Sequence, residues 1–167
     1  HYSQLIDWIK PMGDAFRVIA GDYVTTSDGT GIVHIAPTFG ADDDRVAKAA
    51  GIVPLFLVDK AGKNQPMVDR TGKFFRIEDL DEAFVRQYVN TEKYGLWAGK
   101  FFKTEYDVSA SPDAESVDVE ISGMIEGENK AFRIENHTHS YPHCWRTDKP
   151  VPSSQLVSLV LNTTHRT

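Results

Sequence analysis

Apolar positions along this chain fall into short clusters broken by Gly, Pro and Asp, and few of them hold one period for long. Three stretches read as helices. Asp42 to Ala50 crowds acidic residues into a first turn, where the macrodipole favours them, and places Gly51 where a C′ glycine belongs. Leu80, Phe84, Val85 and Tyr88 share one face of a second helix, with Asp79, Asp81 and Glu82 at its start. Val117, Ile121, Met124 and Ile125 do the same for a third, over about 114–129. An opening segment, Tyr2 to Ile9, has partly helical spacing and is ended by Pro11 and Gly13.

The remaining clusters read as strands: Ala15–Ala20, Tyr23–Thr26, Gly31–Ala36, Ile52–Val58, Phe74–Ile77 and Ala131–Glu135. A turn at Ser27-Asp28-Gly29 precedes the third of these and Pro37 halts it. Strands outnumber helices, and several connections are too short for parallel crossovers. The fold expected is therefore α+β, with a mixed or barrel-like sheet core and peripheral helices. Lys60-Ala61-Gly62-Lys63-Asn64 is a polar hairpin or loop, and no repeat is visible.

Composition narrows the class. The 167 residues are 41% hydrophobic and 25% charged, ordinary for one globular domain with a fragment of a second at most. No apolar run approaches the roughly 18 residues of a membrane span. The start, His1-Tyr2-Ser3-Gln4, has neither Met nor a signal-peptide pattern, which suggests a piece of a longer chain. The single cysteine, Cys144, fits a reducing cytoplasm. A net charge of −6 argues against a domain that grips nucleic acid broadly, but not against one that receives its end.

Two regions hold residue types that do chemistry. The first runs from Gly29 to Asp44: a turn, a strand, then a Gly-containing loop opening a helix. With Val33 and Ile35 facing inward, His34 would lie near the strand's C-terminal end, close to the acids Asp42, Asp43 and Asp44. A carboxylate there suits a cation such as a free α-amino group. Asp42 alone is explained equally well as a helix cap, and His34 as a hydrogen-bonded structural residue. The second region, His137 to Arg146, groups His137, His139, His143 and Cys144, but H-x-H-x₃-H-C is no usual zinc spacing. A zinc-stabilised binding module and a packed return segment both remain open on spacing alone.

The stretch Gly29-Thr30-Gly31-Ile32-Val33-His34-Ile35-Ala36-Pro37, with Gly40-Ala41-Asp42-Asp43, closely resembles the GTGxVHxAPxxGxDD motif of the isoleucyl-tRNA synthetase editing domain. Valyl and leucyl relatives share the GTG but differ at the His and the acidic pair; a valyl-type editing domain is the nearest alternative. His139 to Arg146 with Lys149-Pro150 is similar to the segment returning to the catalytic domain, and Tyr2, Gln4 and Leu5 resemble the stretch upstream of the motif.

The resemblance implies hydrolysis of valine wrongly esterified to isoleucine tRNA, by a positioned water and not a side-chain nucleophile. Asp43 would bind the α-ammonium, and His34, Thr38, Phe39 and Gly40 would line the substrate pocket. It implies no metal or cofactor in this segment; ATP and magnesium belong to the catalytic domain of the full-length enzyme. The partners would be the acceptor end of aminoacylated tRNA, its valine moiety and the rest of the synthetase chain, in the cytoplasm and not at a membrane. Residues 1–136 would form the editing domain, lacking an upstream threonine-rich strand (TTTPWT-like) that completes the pocket. Residues 137–151 would be the return segment, and 152–167, which lack the family's Trp-Phe pair, a non-native or disordered tail.

Overall fold

The computed structural model describes residues 1–27, 30–111, 114–131 and 134. Four helices lie among them: α1 (Ala41–Ala49), α2 (Glu82–Tyr88), α3 (Thr91–Gly95) and α4 (Val117–Gly127). Two-residue strands β1 (Leu57–Val58) and β2 (Asn64–Gln65) pair antiparallel, Leu57 opposite Gln65 and Val58 opposite Asn64. Isolated bridges join Ile9 to Val89, Asp59 to Leu80, Val68 to Phe74 and Lys73 to Phe101.

The helices form where caps and periodicity agree. α1 ends in a Schellman arrangement: Gly51, at φ 68°, donates to the Lys48 carbonyl, and Ile52 donates to that of Ala47. Asp81 caps α2 by accepting from the Phe84 N–H at 2.8 Å, and Asn90 caps α3 by accepting from that of Lys93. One face of α2 is buried as expected, through Phe84, with Val85 and Tyr88 against the core and Leu80 buried just before the helix. α4 buries Val117 and packs Ile121 and Met124 on the same core, and Lys100–Glu120 and Lys103–Asp118 ion pairs fasten its outer side.

The core is an aromatic cluster. Trp8 stacks on Trp97 with centroids 5.1 Å apart, while Phe74 meets Trp8 and Tyr94 edge-on. Tyr94 is fully buried, and its hydroxyl donates to the Phe75 carbonyl at 2.7 Å. Burial pushes that hydroxyl's pKa well above the ordinary tyrosine range.

The barrel-like sheet is not found: the regular structure among the described residues is mostly helical, with one small two-stranded sheet. Segments 15–20, 23–26 and 31–36 contain no strand, and only Leu57–Val58 of 52–58 pairs in a ladder. Bridges at Lys73 and Phe74 are all the pairing at 74–77 before a 3₁₀ turn at Ile77–Asp79. Segment 2–9 is not helical either. β-branched composition measures fit to a pleated, half-buried surface; without a neighbouring strand to complete its hydrogen bonds the segment forms no ladder. Most of 131–135, and all of 137–167, lies outside the described residues.

Candidate functional site

The three acids of the first region are sent in different directions by the helix that carries them. Gly40 is the extended N-cap residue of α1 and supplies no side-chain cap, so Asp42 is not the cap. Asp42 instead pairs with Arg45 at 3.1 Å, and Asp44 with Lys48, both along the exposed helix. Asp43 turns back. Its Oδ2 accepts the N–H of Ala36 at 2.9 Å, while the Ala36 carbonyl accepts from Phe39 and Gly40 at 2.9 and 3.0 Å. The backbone of Ala36 is thereby satisfied in both directions, closing loop 36–43 on the start of α1. Oδ1 of Asp43 has no hydrogen-bond partner among the described residues.

Gly40 makes that latch possible. A Cβ at this position would lie 2.7 Å from Asp43 Oδ2 and 2.9 Å from its Cγ, so any side chain would push the carboxylate away. The glycine is needed for close approach, since its φ of −114° is open to any residue. Thr38, 8% exposed, donates its hydroxyl to the Leu55 carbonyl at 3.2 Å and ties the loop to segment 52–58. Phe39 is half-buried beside it.

The structure thus gathers Thr38, Phe39, Gly40 and Asp43 into one loop–helix junction. His34 stays outside it: the ring is exposed, and no hydrogen bond or ion pair joins it to Asp43. The inward face expected of Val33 also fails, for Val33 is 54% exposed and Ile32 77%. With no strand alongside among the described residues, 32–34 are exposed on both faces.

Sequence reasoning missed Arg17. Its guanidinium donates to the Ala50 carbonyl at the C-terminal end of α1 and pairs with Asp14, where a cation complements the helix dipole. Nothing in the local pattern points across the 33 positions between them. An open cleft of about 330 Å³ lies along this side of α1, lined in part by Ile19, Tyr23, Arg45 and Val46. A larger one, about 560 Å³, lies between Lys73, Lys100 and Val108; neither cleft is lined by His34 or Asp43. Among the described residues no three His, Cys, Asp or Glu groups converge to hold a metal. The cluster of His137, His139, His143 and Cys144 lies outside them. No described helix is long and apolar enough to cross a membrane.

No protein-family model matches the chain. Curated proteins do. An isoleucine–tRNA ligase of Bacteroides fragilis is 62% identical over 150 residues, 90% of this chain and 13% of that protein. Its counterpart in Porphyromonas gingivalis is 54% identical over 163 residues, 98% of this chain and 14% of that protein. One from Mycobacterium tuberculosis is 35% identical over 151 residues, covering 90% of this chain and 11% of its own length. The chain therefore spans less than a sixth of the curated relatives it matches. It is homologous to a segment of isoleucine–tRNA ligase, an aminoacyl-tRNA synthetase.

Proposed function

We propose that this segment carries the editing site of the ligase, where valine mis-attached to isoleucine tRNA is hydrolysed. The observation that carries the reading is the held carboxylate. Asp43 spends Oδ2 on the Ala36 N–H and leaves Oδ1 for a cation, at a junction shaped by Gly40 and fastened by Thr38. A fixed carboxylate with one oxygen open is suited to the α-ammonium of an aminoacyl ester. Water adds to the ester carbonyl carbon, the bond to the ribose oxygen breaks, and that oxygen takes up a proton as valine departs. No side-chain nucleophile is required.

The need for a second site is energetic. One methylene in an apolar pocket is worth only ~1–3 kcal/mol, too little for accurate discrimination, so a smaller sieve must remove valine after transfer. Phe39 and His34 line the aminoacyl-adenosine pocket in this reading. An upstream threonine-rich strand supplies its other wall beside 31–36, which accords with the exposure of Ile32 and Val33. ATP and magnesium serve the aminoacylation step elsewhere in the full-length enzyme, which works in the cytoplasm on the tRNA acceptor end.

Binding of non-hydrolysable valyl- and isoleucyl-adenosine mimics to the chain extended through that upstream strand tests the reading. The valyl mimic binds and the isoleucyl mimic does not. Asp43→Ala costs the valyl mimic ~1.5–3 kcal/mol, as for a lost charged hydrogen bond. Asp43→Asn keeps an acceptor for Ala36 but not the charge, and weakens binding by a similar amount if the ammonium is the ligand. Unchanged affinity in both variants would remove Asp43 from the site.

A further inference from the structure

A five-residue pattern occurs twice, at Asp59-Lys60-Ala61-Gly62-Lys63 and Asp69-Arg70-Thr71-Gly72-Lys73, and both copies fold alike. In the first, Asp59 Oδ1 accepts the N–H groups of Ala61 and Lys63, each at 2.9 Å. In the second, Asp69 Oδ1 accepts those of Thr71 and Lys73, at 2.7 and 3.1 Å. Each glycine donates to its aspartate's carbonyl and has positive φ, 73° and 82°. Each aspartate N–H donates to the carbonyl of the closing lysine. Both carboxylates are therefore occupied in holding their own turns, and the side chains left at positions two and five are cations.

The partnering of charge elsewhere makes these cations stand apart. Every described Lys or Arg outside the two turns, except Lys10, forms an ion pair with a carboxylate within 4 Å. Among the described residues Lys60, Lys63, Arg70 and Lys73 form none; the first three are exposed, and Lys73 Nζ sits 4.4 Å from the centroid of the Phe101 ring. In a chain of net charge −6, residues 59–73 hold four cations against two carboxylates. The turns cap opposite ends of segment 64–68, which pairs with β1 near one turn and with Phe74 near the other. With a bend at Met67, and at most about 3.3 Å per residue, they stand no more than about 20 Å apart, within the reach of a few successive phosphates.

We infer that the paired Asp-Lys/Arg-x-Gly-Lys turns form a contact for the phosphate backbone of RNA. A cation already paired gains little from a phosphate, whereas a free one displaces condensed counterions. The turns present cations that lie in no ion pair at two separated points, and Ala61 and Thr71 at their tips offer no large apolar side chain to insert into a lipid surface. Such contacts position a nucleic acid without reading its sequence. The choice of RNA as the polyanion rests on the editing reading, and the experiment separates the two.

The full chain is titrated with a fluorescent CCA-ended RNA hairpin across a series of KCl concentrations. The chain with Lys60, Lys63, Arg70 and Lys73 all changed to Gln retains the turn-forming aspartates, so its circular dichroism should match the parent. It should bind RNA more weakly, and the slope of log affinity against log salt should fall by roughly 3–4, because four phosphates keep their counterions. Arg86→Gln, which removes a paired cation, should leave the slope unchanged. Failure of the parent to bind RNA would overturn the inference. So would an unchanged slope in the quadruple variant, or equal dependence of phosphatidylserine-vesicle binding on the four cations. Valyl-mimic binding to the chain extended through the upstream strand reports on Asp43 alone: its absence with the RNA slope intact sinks the editing reading, and the converse sinks this one.

Discussion

Two halves of the molecule treat apolar residues in opposite ways. Between Leu55 and Phe102, with Trp8 and Ile9 added, large side chains converge: Leu57, Leu80 and Tyr94 are at most 1% exposed. Between Phe16 and Ile35 they diverge, with Val18 72% and Ile32 77% exposed. The second region carries the motif of the proposed site. Phe16 also holds a positive φ of 53° there, uncommon for a bulky residue. The core closes on itself in this segment, while residues 32–34 stay at the surface; in the proposed reading a further strand covers them. Stability and the proposed chemistry would thus be carried by different stretches of the same chain.

The sharpest way to break that contrast is to truncate a core ring. Phe74→Ala should destabilise the chain by ~3–5 kcal/mol, because it opens a cavity beneath Trp8, Tyr94 and Phe102 that packed aromatics cannot readily fill. Urea unfolding followed by Trp fluorescence measures it; a loss below about 1 kcal/mol would mean the aromatic cluster is not the folding core.

Tyr94 gives a subtler handle on the same cluster. Burial raises its hydroxyl pKa in the folded state, so the contribution is complete below the ordinary tyrosine range near 10. As pH rises above that range the unfolded chain ionises first and stability is lost. The urea midpoint should therefore fall above about pH 10, and Tyr94→Phe should reduce that alkaline loss. At neutral pH the same variant costs only ~0.5–1.5 kcal/mol, the net worth of the bond to Phe75. An equal alkaline decline in both chains would remove Tyr94 as its source.

What was legible in the sequence follows the range of the forces involved. α1, α2 and α4 could be read because caps and a 3.6-residue period are local: Gly51 and Asp81 sit within a turn of the backbone they satisfy. α3 is five residues long, too short for its period to show, and is not among the helices expected from the sequence. The strands misled because a ladder needs a partner that composition does not reveal. The twin turns could not be read as a repeat because three matched positions in five are too few. At the proposed site the sequence marks the acidic trio, but not how folding divides it. Asp42 and Asp44 face ion pairs along the helix, and only folding shows that Asp43 reaches back to Ala36. The need for Gly40 depends on a side chain three positions later. The identity of the motif came from resemblance, and spacing alone left His34 undecided.

The smallest expected effect completes the contrast. Ile32→Ser and Val33→Ser each remove a β-branched apolar side chain from the proposed site's own motif, yet both residues face solvent here. In this chain each should change stability by no more than about 0.5 kcal/mol, as for an ordinary surface position. In a chain extended through the proposed upstream threonine-rich strand the same changes should cost more, since burying a residue of this size is worth ~1.5–3 kcal/mol. Urea midpoints for the four variants and their two parents measure the difference directly. A large loss in the short chain would show that 31–36 is already packed. Equal small losses in both would mean that the added strand lies elsewhere, and the exposed face of this motif would then need another explanation than an absent neighbour.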